Sequence, residues 1–121
     1  MNPSFSLRAR LRSFRYAARG LVTLLREQHN CRIHLLATLS VAGLGWVLEL
    51  SAPQWVSLLL AIALVWVAEA LNSALEYLAD AVHPEQHPLV AKSKDVAAAG
   101  VLITAIIAAL VGLLVFLPHI L

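Results

Sequence analysis

The stretch Trp55–Val82, WVSLLLAIALVWVAEALNSALEYLADAV, decides how the rest of the chain is read. Its first half is almost wholly apolar, and its second half carries Glu69, Asn72, Glu76 and Asp80. At 100° per residue these four fall within an arc of about 80° on one helical face. An ionisable group in hydrocarbon costs on the order of 2.5–3.5 kcal/mol on insertion scales, so such residues face a bundle interior or a wet cavity. The stripe is a candidate site for a cation or a proton.

Around this segment the composition is that of a membrane protein. The 121 residues are 60% hydrophobic and 13% charged, with mean hydropathy +0.80. A soluble domain carries about 25% charged residues. A net charge of +2 is too small to suggest nucleic acid, and the lone Cys31 permits no intrachain disulfide. Two further apolar segments flank the first, giving expected spans over 33–50, 55–82 and 96–117; against the roughly 20 residues a bilayer requires, the first is at the short end, the second longer than needed and the third a good fit. Ser51-Ala52-Pro53-Gln54 reads as a tight turn between the first two, and a polar loop is expected from His83 through Asp95. Residues 1–32 hold seven arginines interleaved with apolar residues and no run fit for a signal core, which suits an amphipathic helix on an anionic membrane surface. The expected organisation is this surface helix followed by a three-span unit, 33–121.

Charge sets the orientation. Every Lys and Arg lies either between Arg8 and Arg32 or at Lys92 and Lys94. With three spans both groups fall on one side, which the positive-inside rule makes cytoplasmic. The acidic stripe then opens toward Lys94 and Asp95, on the side where nucleotide is available.

Two carboxylates at different depths permit a division of labour. Glu69, deeper and drier, suits a proton acceptor, and Glu76, nearer water, suits a Mg²⁺ ion carrying nucleotide phosphates. Lys94 is a point charge for phosphate oxygens, and Asp95 can orient it or accept a nucleotide hydrogen bond. Phosphoryl transfer needs little more than these groups in alignment. A small proton-coupled transporter using Glu69 fits the same spacing.

Three ordered motifs separate those alternatives. Glu69 to Asp80 resembles the signature E-x-x-N-(S/T)-A-(I/L)-E-x-x-x-D of the small prokaryotic diacylglycerol kinase and undecaprenol kinase family. Lys92-Ser93-Lys94-Asp95-Val96-Ala97-Ala98 resembles the family's K-x-K-D-x-A-A segment, and Asn30-Cys31-Arg32-Ile33-His34-Leu35 its N-x-(K/R)-I-H-L segment. The resemblance covers about Phe14 to Pro118. It implies an all-helical membrane protein of the bacterial cytoplasmic membrane, a homotrimer with composite sites between protomers, using ATP and Mg²⁺ to phosphorylate a lipid hydroxyl. Glu69 matches the catalytic base and Asn72 its polar partner. Glu76 matches a metal ligand that also serves nucleotide binding. Lys94 and Asp95 match nucleotide contacts, Tyr16 a tyrosine near the adenine, and Glu85 and His87 a nucleotide-contacting loop. The family's second metal-binding glutamate falls at Gln28, with Glu27 beside it, so the implied ligand is one of these two. That substitution also makes a non-enzymatic subunit on a retired kinase scaffold conceivable. His87-Pro88-Leu89 and Val115-Phe116-Leu117-Pro118 resemble the undecaprenol branch more than the diacylglycerol branch.

Other residues take plainer readings. His29 and His34 read as interfacial hydrogen-bonding residues, the tryptophans as belt or packing residues, and the glycines and alanines of the spans as aids to close helix packing. Glu49 reads as a solvated cap.

Overall fold

The computed structural model describes residues 4–121, and among them there are four helices and no strand. They are α1 (Leu7–Glu27), α2 (His29–Val47), α3 (Ala52–Val82) and α4 (Pro88–Ile120).

Each boundary has a local cause. Ser6 caps α1 by accepting the Ala9 N–H at 3.3 Å. A single residue, Gln28, separates α1 from α2 and ends one helix while starting the other, with extended φ −102° and ψ 110°. Arg32 closes this elbow: its Nε donates to Leu25 O at 2.8 Å and its Nη2 to Arg26 O. The guanidinium thereby serves carbonyls that the end of α1 leaves without helical partners.

At the other end of α2, Leu50 N donates to Gly45 O and Glu49 N to Trp46 O, both characteristic of a Schellman turn. Glu49 is exposed, as expected, but it also holds the left-handed position of that turn, with φ 54°. Ser51 and Gln54 then form a capping box, and Pro53 lies in the first turn of α3.

The loop after α3 is shorter than expected. It spans residues 83–87, because Pro88 starts α4 where a missing N–H costs nothing. His87 caps that helix, its Nδ1 accepting the Leu89 N–H at 3.1 Å. Lys92, Lys94 and Asp95 are therefore helical, held at fixed angles around α4.

α3 and α4 form the principal packed pair, and α2 and α1 lean on it in turn. A small core of Leu50, Leu58, Val115 and Phe116 closes the end of the hairpin beside the 48–51 turn. Gly45 belongs to this end: a Cβ there would meet Leu50 Cδ1 and a Trp55 ring atom, both at 2.9 Å. Added Cβ atoms at Gly43, Gly100 and Gly112 would meet nothing within 4 Å. Within one chain, then, only Gly45 among these serves close packing; the other three face open space.

Large apolar side chains remain outside, Leu114 at 77% exposure among them. Such a surface requires lipid or neighbouring subunits. α3 and α4 are long and apolar enough to cross a bilayer. α2 is not among the helices that meet that standard, since His29, Asn30, Arg32 and His34 occupy its first two turns.

Candidate active site

Glu69 stands where two stripes of α3 cross. One runs through Glu69, Asn72, Glu76 and Asp80. The other, through Trp66, Glu69, Ser73 and Tyr77, turns toward α2 and the elbow before it. Three hydrogen bonds tie this second stripe across: Trp66 Nε1 to Thr38 Oγ1 at 3.0 Å, His34 Nε2 with Glu69 Oε1 at 2.9 Å, and Gln28 Nε2 to Tyr77 Oη at 3.0 Å. The register of these pairs sets Cys31 and Ser73, at 0% and 1% exposure, on the level between His34 and Gln28.

The Glu69 residue is 2% exposed, and its carboxylate has His34 as its one hydrogen-bond partner among the described residues. Burying a carboxylate is costly unless donors face it. Its other oxygen, Oε2, is left available to a further donor. A hydroxyl brought there would find an acceptor shielded from water, the setting a general base requires.

Away from α2 the stripe has unused capacity. Asn72 Oδ1 is buried without a partner, and Glu76, half-buried, makes no hydrogen bond or ion pair among the described residues. Further out, Lys94 Nζ donates to Asp80 Oδ1 at 2.7 Å, on the rim of a cavity of about 610 Å³. Glu85 and His87 line the same cavity. His83 shapes it: its Nδ1 lies 2.9 Å from Glu85 O, and its ring meets that of His87 edge-on at 5.2 Å. Acidic, basic and imidazole groups from one loop and two helix ends thus converge on a space fit for a small polar ligand.

Glu27 and Gln28 share one partner. Tyr77 donates from its hydroxyl to Glu27 Oε2 at 2.6 Å while accepting from Gln28. Gln28 therefore spends one amide N–H on Tyr77 and retains its carbonyl oxygen.

No group of three or more His, Cys, Asp and Glu able to hold a metal occurs among the described residues. The donors present suit an ion that keeps other oxygens. Mg²⁺ takes one or two carboxylates together with phosphates and water, and the unpaired Glu76 and the orphaned Asn72 Oδ1 are hard oxygen donors.

Two residues named from the sequence stand apart within one chain. Tyr16 is exposed on α1 under the Arg19 guanidinium, 5.8 Å from its ring centroid, and Asp95 is exposed on α4; neither lines the Lys94 cavity. His34 gains what sequence alone did not give it, direct contact with Glu69. Trp66, read as a packing or belt residue, proves to be a hydrogen-bond donor. Their signal was present as the spacing of Cys31, His34 and Thr38 along one face of α2, but it has meaning only once α3 is known to face it.

Comparison with known proteins places the chain in a family by its sequence. A family model described as prokaryotic diacylglycerol kinase matches residues 15–116. The undecaprenol kinase of Bacillus subtilis is 36% identical over 107 residues, covering 88% of this chain and 87% of that protein. A diacylglycerol kinase of Synechocystis sp. is 39% identical over 110 residues, or 90% of this chain and 63% of that longer protein. The diacylglycerol kinase of Escherichia coli K12 is 30% identical over 104 residues, 86% of this chain and 85% of that protein.

Proposed function

Because this chain belongs to the prokaryotic diacylglycerol kinase family, we propose that it transfers the γ-phosphoryl group of ATP to the hydroxyl of a membrane lipid, with undecaprenol favoured over diacylglycerol. The observation that carries this reading is the buried Glu69 carboxylate, with one oxygen held and one open, at the head of a stripe leading to Lys94. Glu69 takes the hydroxyl proton as the lipid oxygen attacks the γ-phosphorus, and ADP departs. Asn72, one turn on, faces the reacting groups as their polar partner. Lys94, held by Asp80, meets the phosphates, and Glu85, His87, Asp95 and Tyr16 contact the nucleotide. Glu76 with Gln28 or Glu27 would hold Mg²⁺, which when bound supplies positive charge to the phosphate oxygens.

In this reading α2, α3 and α4 all cross the cytoplasmic membrane, with α1 on its cytoplasmic surface. A homotrimer covers part of the exposed apolar surface and brings Tyr16 and Asp95 to sites between protomers. The distribution of Lys and Arg supports that orientation. Sequence likeness at 87–89 and 115–118 supports the polyprenol, as does the B. subtilis relative matched over most of its length.

The test is ATP-dependent phosphorylation by the detergent-solubilised protein, offered undecaprenol and diacylglycerol in parallel. Turnover that Glu69→Gln removes, with undecaprenol the faster acceptor, is expected. Faster phosphorylation of diacylglycerol would reverse the acceptor assignment, and no turnover with either lipid would overturn the reading.

A further inference from the structure

We infer that His34 is a positioning residue for the reaction: its Nε2–H holds Glu69 Oε1, so that Oε2 is the oxygen presented to the acceptor hydroxyl. The inference rests on the proposed function and deepens it. In it, the lipid oxygen forms its bond to the γ-phosphorus, the bond from that phosphorus to the ADP oxygen breaks with its electron pair, and the hydroxyl proton passes to Oε2. His34 remains bonded to Oε1 throughout and touches neither substrate.

The geometry supports this in three ways. The His34–Glu69 distance is 2.9 Å, and no other protein group among the described residues donates to that carboxylate. A buried carboxylate held by a single donor has its orientation set by that donor. In either the Nε2–H tautomer or the imidazolium, His34 is the donor of this bond.

His34 is itself braced. Thr38 Oγ1 donates to His34 O at 2.7 Å and accepts from Trp66 Nε1 at 3.0 Å. The Trp66 ring meets the imidazole edge-on, with centroids 6.3 Å apart. Thr38 thus links the main chain of His34 to Trp66 of α3, and the Trp66 ring flanks the imidazole that holds the base. On its far side His34 borders a groove of about 260 Å³ whose α4 wall is Ala105, Ala108, Ala109 and Gly112. That wall offers no side-chain donor to replace His34.

The test compares His34→Gln with His34→Met in the full-length protein. The two new side chains are close in length and flexibility, and only glutamine brings an N–H donor. Steady-state phosphorylation is measured with varied ATP and varied lipid, together with the melting temperature. Expected is a kcat at least about 10-fold lower in His34→Met, with both KM values within about twofold of wild type, and recovery of most of that loss in His34→Gln. Wild-type kcat in His34→Met would overturn the inference, as would equal losses in both variants. If His34→Met does not fold, His34→Gln decides alone: a loss of about 10-fold or more at unchanged melting temperature overturns the inference, and near-wild-type kcat supports it. Failure of the proposed function would show differently, as a wild-type protein without ATP-dependent turnover, and the inference would fall with it.

Discussion

The two faces of α3 treat their polar groups in opposite ways. Toward α2 and the elbow, Trp66, Glu69 and Tyr77 each find a partner, and only the Ser73 hydroxyl is buried without one. On the outer stripe, among the described residues, Asn72 Oδ1 is orphaned, Glu76 is unpaired, and the single bond is the Lys94–Asp80 pair at the exposed end. A polar group whose partner lies in the same chain contributes to the fold. One whose partner is missing costs stability unless something else supplies it. In the proposed reading the unpaired face is where nucleotide and lipid would find partners, with Glu69 shared between the faces and Glu27 or Gln28 reaching the metal from the paired side.

Substitutions separate the faces by what they damage. Glu69→Gln, at the crossing, is expected to lower kcat by roughly 10²–10⁴-fold while ATP still binds. Residual turnover near wild type would remove Glu69 as the base. Glu76→Gln, on the open face, is expected to raise the Mg²⁺ requirement of turnover by about tenfold, equivalent to about 1.4 kcal/mol, and to leave the melting temperature unchanged. An unaltered Mg²⁺ dependence would take Glu76 out of the metal shell.

Tyr77→Phe, on the paired face, should do the reverse. It removes the bonds to Glu27 and Gln28, which should lower the melting temperature slightly and leave kcat near wild type. A large change in Mg²⁺ dependence instead would show that Tyr77 holds metal ligands in place, blurring the distinction between the faces. The smallest effect belongs to Trp66→Phe, which deletes only the donor to Thr38 and is expected to change kcat by no more than about threefold. A larger loss would extend the positioning role from His34 to its braces.

The open face could be read from the sequence and the paired face could not. Glu69, Asn72, Glu76 and Asp80 lie on one helix, so their convergence follows from helical periodicity alone. His34 and Glu69 lie on different helices, and their meeting depends on the register between α2 and α3, which the 48–51 turn sets. The helix break at Gln28 escaped for a different reason. An uncapped, one-residue break between helices carries no Gly or Pro to announce it, and only the Arg32 guanidinium beyond it explains why α1 can end there. Pro88 was visible but ambiguous, since the same residue ends one helix or begins another according to which neighbour supplies the cap.

The short turn at residues 48–51 also sets depth. α2, with 19 residues, is about 28 Å long and α3, with 31, about 46 Å, against a hydrocarbon layer of about 30 Å. Joined at one end by so short a turn, and both spanning as proposed, the two helices can place the surplus only at the far end of α3. Counting from Ala52, Glu69 then stands about 26 Å up, at the edge of the hydrocarbon, and Asp80 about 42 Å up, in water. In that reading the helix would gauge the height of a hydroxyl and leave the tail beneath it unmeasured. A long polyprenol and a two-chain glyceride can offer their hydroxyls at that same height, so one scaffold can serve acceptors that otherwise share little.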